Sequence, residues 1–216
     1  KVRLMSTFGA MKSRIAREMK RGELSASSSA VQDSILSAIE HFKRKRFYFN
    51  EFNDVTATSS ASQTYMSLSR FGIRPILLDS VNVVIGNRDY PLTAKTWQAI
   101  DSIDAGQWYG FPEWYSIHTE KLRLYPPPNN AYVVRIAGIK DLTEVSASAT
   151  SNATNPWVDD AEQMIRCQAK GYLFRDALRN VALGQQFRAD ANDSFRELSK
   201  ETRAKTTVGR LRKTNW

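Results

Sequence analysis

KLRLYPPPNNAYVVRI, residues 121–136, decides how the middle of the chain folds. Lys121 to Tyr125 and Tyr132 to Ile136 are short, alternating and rich in apolar and aromatic side chains, as in strands with one buried face. Between them stand Pro126, Pro127 and Pro128. Proline has no N–H for a ladder and fixes φ near about −65°, so three in a row end the first strand. Asn129 and Asn130 tolerate the left-handed backbone that turns the chain back. A proline-rich ligand for an aromatic groove uses the same residues, but three prolines between two strands read as a rigid corner.

The neighbouring stretches extend this pattern. EWYSIH (113–118) supplies a third strand, turning at Thr119-Glu120. SVNVVIGNRDYPL (80–92) alternates Val81, Val83 and Ile85, then meets Gly86-Asn87, a hairpin signal. Thr93 to Asp104 reads as a short helix carrying Trp97, Ile100 and Ile103. FYFNE (47–51) and TYMSL (64–68) are short and aromatic, with Phe47 and Phe49 at strand alternation. DVTATSSASQT (54–64) between them reads as flexible, and EVSASATSNATNP (144–156) is a second small-residue stretch.

Both ends have helical texture. Phe8, Met11, Ile15 and Met19 recur at helical spacing, with Gly22 as a stop. Ser29 and Gln32 match a capping box ahead of a stripe of Val31, Ile35, Ile39 and Phe42. The run Lys43, Arg44, Lys45, Arg46 closes that helix, where cations complement the negative end of its dipole. Asn155-Pro156 opens the next helix as N-cap and first residue, and Ala161, Ile165, Ala169, Tyr172 and Leu173 form its apolar face. A following helix carries Phe187, Ala191, Phe195 and Leu198. TTVGRLRKTNW (206–216) has no periodicity and reads as an extended tail.

The expected fold is α+β. Residues 1–46 and 157–207 form a discontinuous helical core, 47–156 an inserted antiparallel β-rich domain, and 208–216 the tail. At 216 residues and 42% hydrophobic content the chain has the composition of a globular protein. No apolar run approaches the roughly 18 residues of a membrane span, and the basic, amphipathic start is unlike a signal peptide. The charge of +9 is uneven. Residues 1–46 carry 11 basic and 4 acidic side chains, 47–156 carry 8 and 10, and 157–216 carry 12 and 8. Basic ends suggest an acidic partner, protein or nucleic acid.

Catalytic and metal chemistry find little support. One cysteine, Cys167, and two histidines, His41 and His118, match no zinc spacing. No Gly-rich phosphate loop is present, and no cofactor is implied. Asp159, Asp160 and Glu162 form the densest acidic group. They sit in a helix's first turn, where negative charge is stabilising, although a carboxylate pair can also serve acid–base chemistry. FKRKRFYF (42–49) interleaves cations and rings as single-strand binders do, without any zinc-finger or RNP pattern. A peptidoglycan-cleaving enzyme and a basic nucleic-acid-binding protein therefore stand as alternatives to a purely structural role.

AIEHFKRKRFYFNE (38–51) together with FPEWYSIHTEKLRLYPPPNNAYVVRIAGIKDL (111–142) resembles the head-to-tail adaptor proteins, or tail accessory factors, of short-tailed bacteriophages. Phe47 to Glu51, Pro112 with Trp114 and Tyr115, Leu122 to Pro128, and Tyr132 to Ile136 carry the likeness. It implies a non-enzymatic virion protein at the head–tail junction, assembled in the host cytoplasm, with about twelve copies ringed below the portal protein. It implies, further, a channel passing double-stranded DNA without sequence reading, and docking of the tail nozzle and of tail fibres or spikes. By the same resemblance Arg210, Leu211, Arg212, Lys213 and Trp216 would bind the portal. Lys43, Arg44, Lys45 and Arg46 would lie between subunits or line the channel. Some members of that group are credited with cell-wall hydrolysis, but no carboxylate pair here is nominated for it.

Overall fold

The computed structural model describes residues 7–19, 29–103, 108–142 and 155–207. In chain order the regular elements are α1 (Phe8–Met19), α2 (Ser29–Phe42), β1 (Glu51–Thr58), β2 (Tyr65–Ser67), β3 (Pro75–Ile85), β4 (Arg88–Pro91), β5 (Thr93–Ala94), α3 (Trp97–Ile103), β6 (Trp114–His118), β7 (Lys121–Tyr125), β8 (Val133–Lys140), α4 (Pro156–Asp159), α5 (Glu162–Tyr172) and α6 (Val181–Thr207). The fold is α+β, and it divides into two compact units, residues 1–50 with 142–216, and residues 51–141.

In the helical unit α5 is central. Met164, Ile165, Cys167, Gln168, Ala169, Lys170 and Gly171 are all buried, because α1, α2 and α6 pack around it. The apolar stripes of α1 (Phe8, Met11, Ile15, Met19) and α2 (Val31, Ile35, Ala38, Ile39, Phe42) are sealed in the same core. Thr7 starts α1 by accepting the Ala10 N–H at 3.1 Å. Asn155 caps α4 by accepting from Trp157 N at 2.9 Å, with Pro156 next, as the sequence indicates. A π-turn over Leu173–Ala177 ends α5 and returns the chain into α6. Where these helices cross, a Cβ on Gly184 would lie 3.1 Å from the Gly171 carbonyl oxygen and 3.3 Å from the Arg175 nitrogen. A methyl there would make the two backbones give by a few tenths of an ångström.

The β unit packs two sheets, ordered β1-β8-β3-β4 and β2-β7-β6-β5. All ladders are antiparallel except the short parallel pair β5–β6. One core is shared by the inward residues of both sheets, among them Val81, Val83, Val134 and Ile136 from the first and Met66, Tyr115, Leu122 and Leu124 from the second. Gly86, at φ +59, makes the β3–β4 turn; Thr119 and Glu120, at φ 47 and 61, make the β6–β7 turn. In β8 a Cβ on Gly138 would collide with the Leu77 carbonyl oxygen, beside the irregular register of β3.

The proline run is a corner with its backbone engaged. Pro126, Pro127 and Pro128 are buried, and the Tyr125–Pro126 peptide is cis. The Pro127 carbonyl accepts from Gly110 N at 3.0 Å and the Pro128 carbonyl from Ser62 N at 2.7 Å. Being enclosed, these prolines offer no ligand face to a groove.

Several expectations are corrected. Phe47 to Asn50 belong to the helical unit: Phe47 is fully buried, stacked on Phe49 and edge-on to Trp157 and Phe195. The stretch from Asp54 to Thr58 is strand rather than flexible linker, because Val55 and Ala57 lean on the β core while the backbone pairs with β8. Of the Thr93–Asp104 helix, only Trp97–Ile103 is helical; Thr93–Ala94 pairs with β6 instead. Thr96 then supplies the α3 cap, accepting from Ala99 N at 3.2 Å. Gly22 and Asp104 lie outside the described residues.

Candidate assembly surfaces

The basic run after α2 is engaged at several points. Lys43 pairs with Glu40 at 2.6 Å, and the Lys45 carbonyl accepts from Asn50 Nδ2 at 2.8 Å. The Lys45 N–H donates to the Phe42 carbonyl, which continues the helix end into a turn. Arg44, Lys45 and Arg46 have exposed side chains. The other predicted cluster, Arg210, Leu211, Arg212, Lys213 and Trp216, lies outside the described residues.

A second charge cluster, which sequence reading missed, ties α1 to α5. Glu18 receives Arg166 at 2.6 Å, Lys170 and, more distantly, Arg14 at 3.7 Å; Arg14 also reaches Glu162. Burial pushes the Glu18 carboxyl up, but Lys170, Arg166 and Arg14 outweigh it and hold the group below its ordinary value. The buried Lys170 also lies under the Phe187 ring of α6, 5.1 Å from its centroid. The cue in the sequence was the i, i+4 pair Arg166 and Lys170 on α5, most of whose residues are buried.

The acidic group opening the C-terminal helices is structural in its contacts. Asp160 accepts from the Tyr48 hydroxyl at 2.8 Å, Glu162 holds Arg14, and Asp159 stands in the first turn of α4. Burial, then Asp160, raises the Tyr48 phenol. His41 abuts Phe42 edge-on, and burial, then Arg188 and Lys45, lowers its pKa. His118 contacts Thr119 Oγ1 at 2.9 Å and tilts against Trp97. Burial raises the Cys167 thiol, as expected of an inert core cysteine. Among the described residues no group of three or more His, Cys, Asp or Glu is arranged to hold a metal.

In the β unit a cationic clamp fixes α3 to the outer face of the second sheet. Arg123 is 2% exposed. Its guanidinium lies 5.1 Å from the Trp97 ring and 5.7 Å from the Tyr65 ring, which stack on each other, and it bonds Asp101. Ile100 is buried below, and the Tyr125 hydroxyl donates to the Ile103 carbonyl at 3.3 Å. The alternation of Leu122, Arg123 and Leu124 signalled an outward arginine; that a helix would cover it was not legible.

At the end of the sandwich remote from Glu51 and Lys140, where Thr58 pairs with Val133, the loops are aromatic. Trp108 is 63% exposed and Tyr109 45%. Behind them Phe111 meets Tyr90 and Tyr132 edge-on. The Tyr132 hydroxyl donates to Asn129 Oδ1 at 2.6 Å. Exposed aromatic side chains on a hydrogen-bonded corner suit contact with another protein better than chemistry on a small molecule.

A family model described as SU10 adaptor protein matches residues 6–213. No curated protein matches the chain.

Proposed function

The chain belongs to the SU10 adaptor protein family, and from that premise we propose a structural connector that forms a ring below the portal of a tailed phage. As a phage adaptor it is a virion structural component that assembles with portal and tail proteins. The observation carrying this is the family match across nearly the whole chain. No described helix is long and apolar enough to cross a membrane.

In the proposed arrangement the helical unit supplies contacts between copies, about twelve in the ring. The slightly acidic β unit, with its aromatic tip, faces the nozzle and fibre or spike proteins. Lys43, Arg44, Lys45 and Arg46 lie between subunits or along the channel, acting on DNA phosphates without reading bases. The tail residues Arg210, Leu211, Arg212, Lys213 and Trp216 dock on the portal, where Arg and Trp are the residue types that most often dominate binding energy. No bond-making step is assigned: Asp160 and Glu162 are already committed to Tyr48 and Arg14.

Co-sedimentation with the portal tests this reading. The full chain is expected to pellet with portal, and a chain lacking residues 208–216 to keep its circular dichroism but lose most of that binding. Equal binding by the shortened chain would show that the portal contact lies elsewhere.

A further inference from the structure

Val181 and Leu183 are the exposed large apolar side chains among the described residues of the helical unit, at 55% and 38%. They stand on the first turn of α6, which is capped. Asn180 caps it, its Oδ1 accepting from Leu183 N at 3.1 Å while its carbonyl accepts from Gly184 N at 3.0 Å. Arg179, in a left-handed conformation at φ 50, is exposed immediately before the cap.

The same unit carries an open groove of about 510 Å³ between α2 and the π-turn, lined by Ala30, Asp33, Ser34, Ser37, Tyr172 and Ala177, among others. Its α2 wall is small apart from Asp33, and on the opposite wall Arg175 and Asp176 are paired with each other. The Ser34 hydroxyl is turned inward to the Val31 carbonyl at 2.7 Å, so it asks nothing polar of an occupant. Asp33 is exposed on the rim and, among the described residues, makes no ion pair.

We infer that the groove between α2 and the π-turn receives the α6 first turn of a neighbouring copy, with Val181 and Leu183 in the groove and Arg179 against Asp33. A head-to-tail ring needs two different, complementary patches on one chain. This unit has an apolar projection with a cation beside it and a groove with one wall of small side chains and the Asp33 carboxylate on its rim, the other two charges of the groove, Arg175 and Asp176, being paired with each other. The inference rests on the ring reading above, to which it adds the residues in contact.

The test uses the full chain, alone and with its portal, sized by light scattering. Leu183→Glu, Asp33→Arg and Arg179→Asp each alter an exposed residue and are expected to leave circular dichroism and melting unchanged. Each is expected to weaken assembly about tenfold or more. An equal mixture of the Asp33→Arg and Arg179→Asp proteins should regain assembly, because each then offers the other a matched pair in an alternating ring. Recovery on mixing cannot arise from contacts within one chain. Single variants that assemble as the wild type does would overturn this contact and leave the ring standing, as would weakened variants that mixing fails to restore. A wild-type chain that stays monomeric with portal present overturns both.

Discussion

Replacing Phe47 by alanine should unfold the helical unit far more readily than its place beside a basic run suggests. Phe47 is fully buried and meets Phe49, Trp157 and Phe195 at centroid distances of 5.2, 5.6 and 5.8 Å. Phe195 is on α6 and Trp157 on α4, so one ring joins segments more than a hundred residues apart in the chain. Deleting a fully buried phenylalanine costs about 3–5 kcal/mol, a figure that already contains its edge and stacking contacts. With a urea slope of about 2 kcal/mol/M, the midpoint should fall by about 1.5–2.5 M. Phe47→Leu keeps most of the volume and should lose only about 0.5 M. Far-UV circular dichroism is the proper probe, since α3 is the only α-helix among the described residues of the β unit. A shift below about 0.3 M for the alanine variant would refute the placement of Phe47 in this core.

Other expectations follow the same contacts. The Glu18 carboxyl is held below its ordinary value near 4.5, so its contribution is present above that value and is lost as pH falls through the depressed one. Glu18→Gln should remove that part of the acid-side slope of stability, read from melting temperature against pH, and an unchanged slope would deny the network its role. Asp101→Ala should cost about 1–3 kcal/mol by taking a carboxylate from the buried Arg123, and should alter Trp97 fluorescence as α3 loosens. An Asp101→Ala protein with wild-type emission and stability would mean that α3 is held by packing alone. Asn155→Ala should destabilise by about 1–2 kcal/mol, since its side chain caps α4 and also donates to the Leu142 carbonyl at 2.9 Å; a loss under about 0.3 kcal/mol in urea titration would contradict that double role.

Much of the architecture was legible because its signals are local. The prolines at 126–128, Gly86-Asn87 and Asn155-Pro156 act within a few residues, and each does in the structure what its chemistry dictates, whereas Asn129 and Asn130 follow the corner without the left-handed backbone expected of them. What was not legible depends on partners remote in sequence. Phe47 and Phe49 alternate like strand residues, and only Trp157 and Phe195 decide that they close a helical core. The Val55 and Thr56 run is polar enough to pass for linker until β8 pairs with it. Arg123 is an unremarkable outward charge until α3 folds over it, and Lys170 looks like a surface lysine until α1 brings Glu18. The surfaces that matter most to an adaptor are the hardest to read, since a contact with another chain leaves only exposed side chains such as Trp108 and Val181.

The mass of the complex with portal bears most directly on the account. Purified chain of 24.5 kDa mixed with its portal and sized by light scattering should appear as a ring of many copies on one portal, visible as such by electron microscopy. Free monomer beside an undecorated portal, at concentrations well above those of the assembled virion, would contradict it.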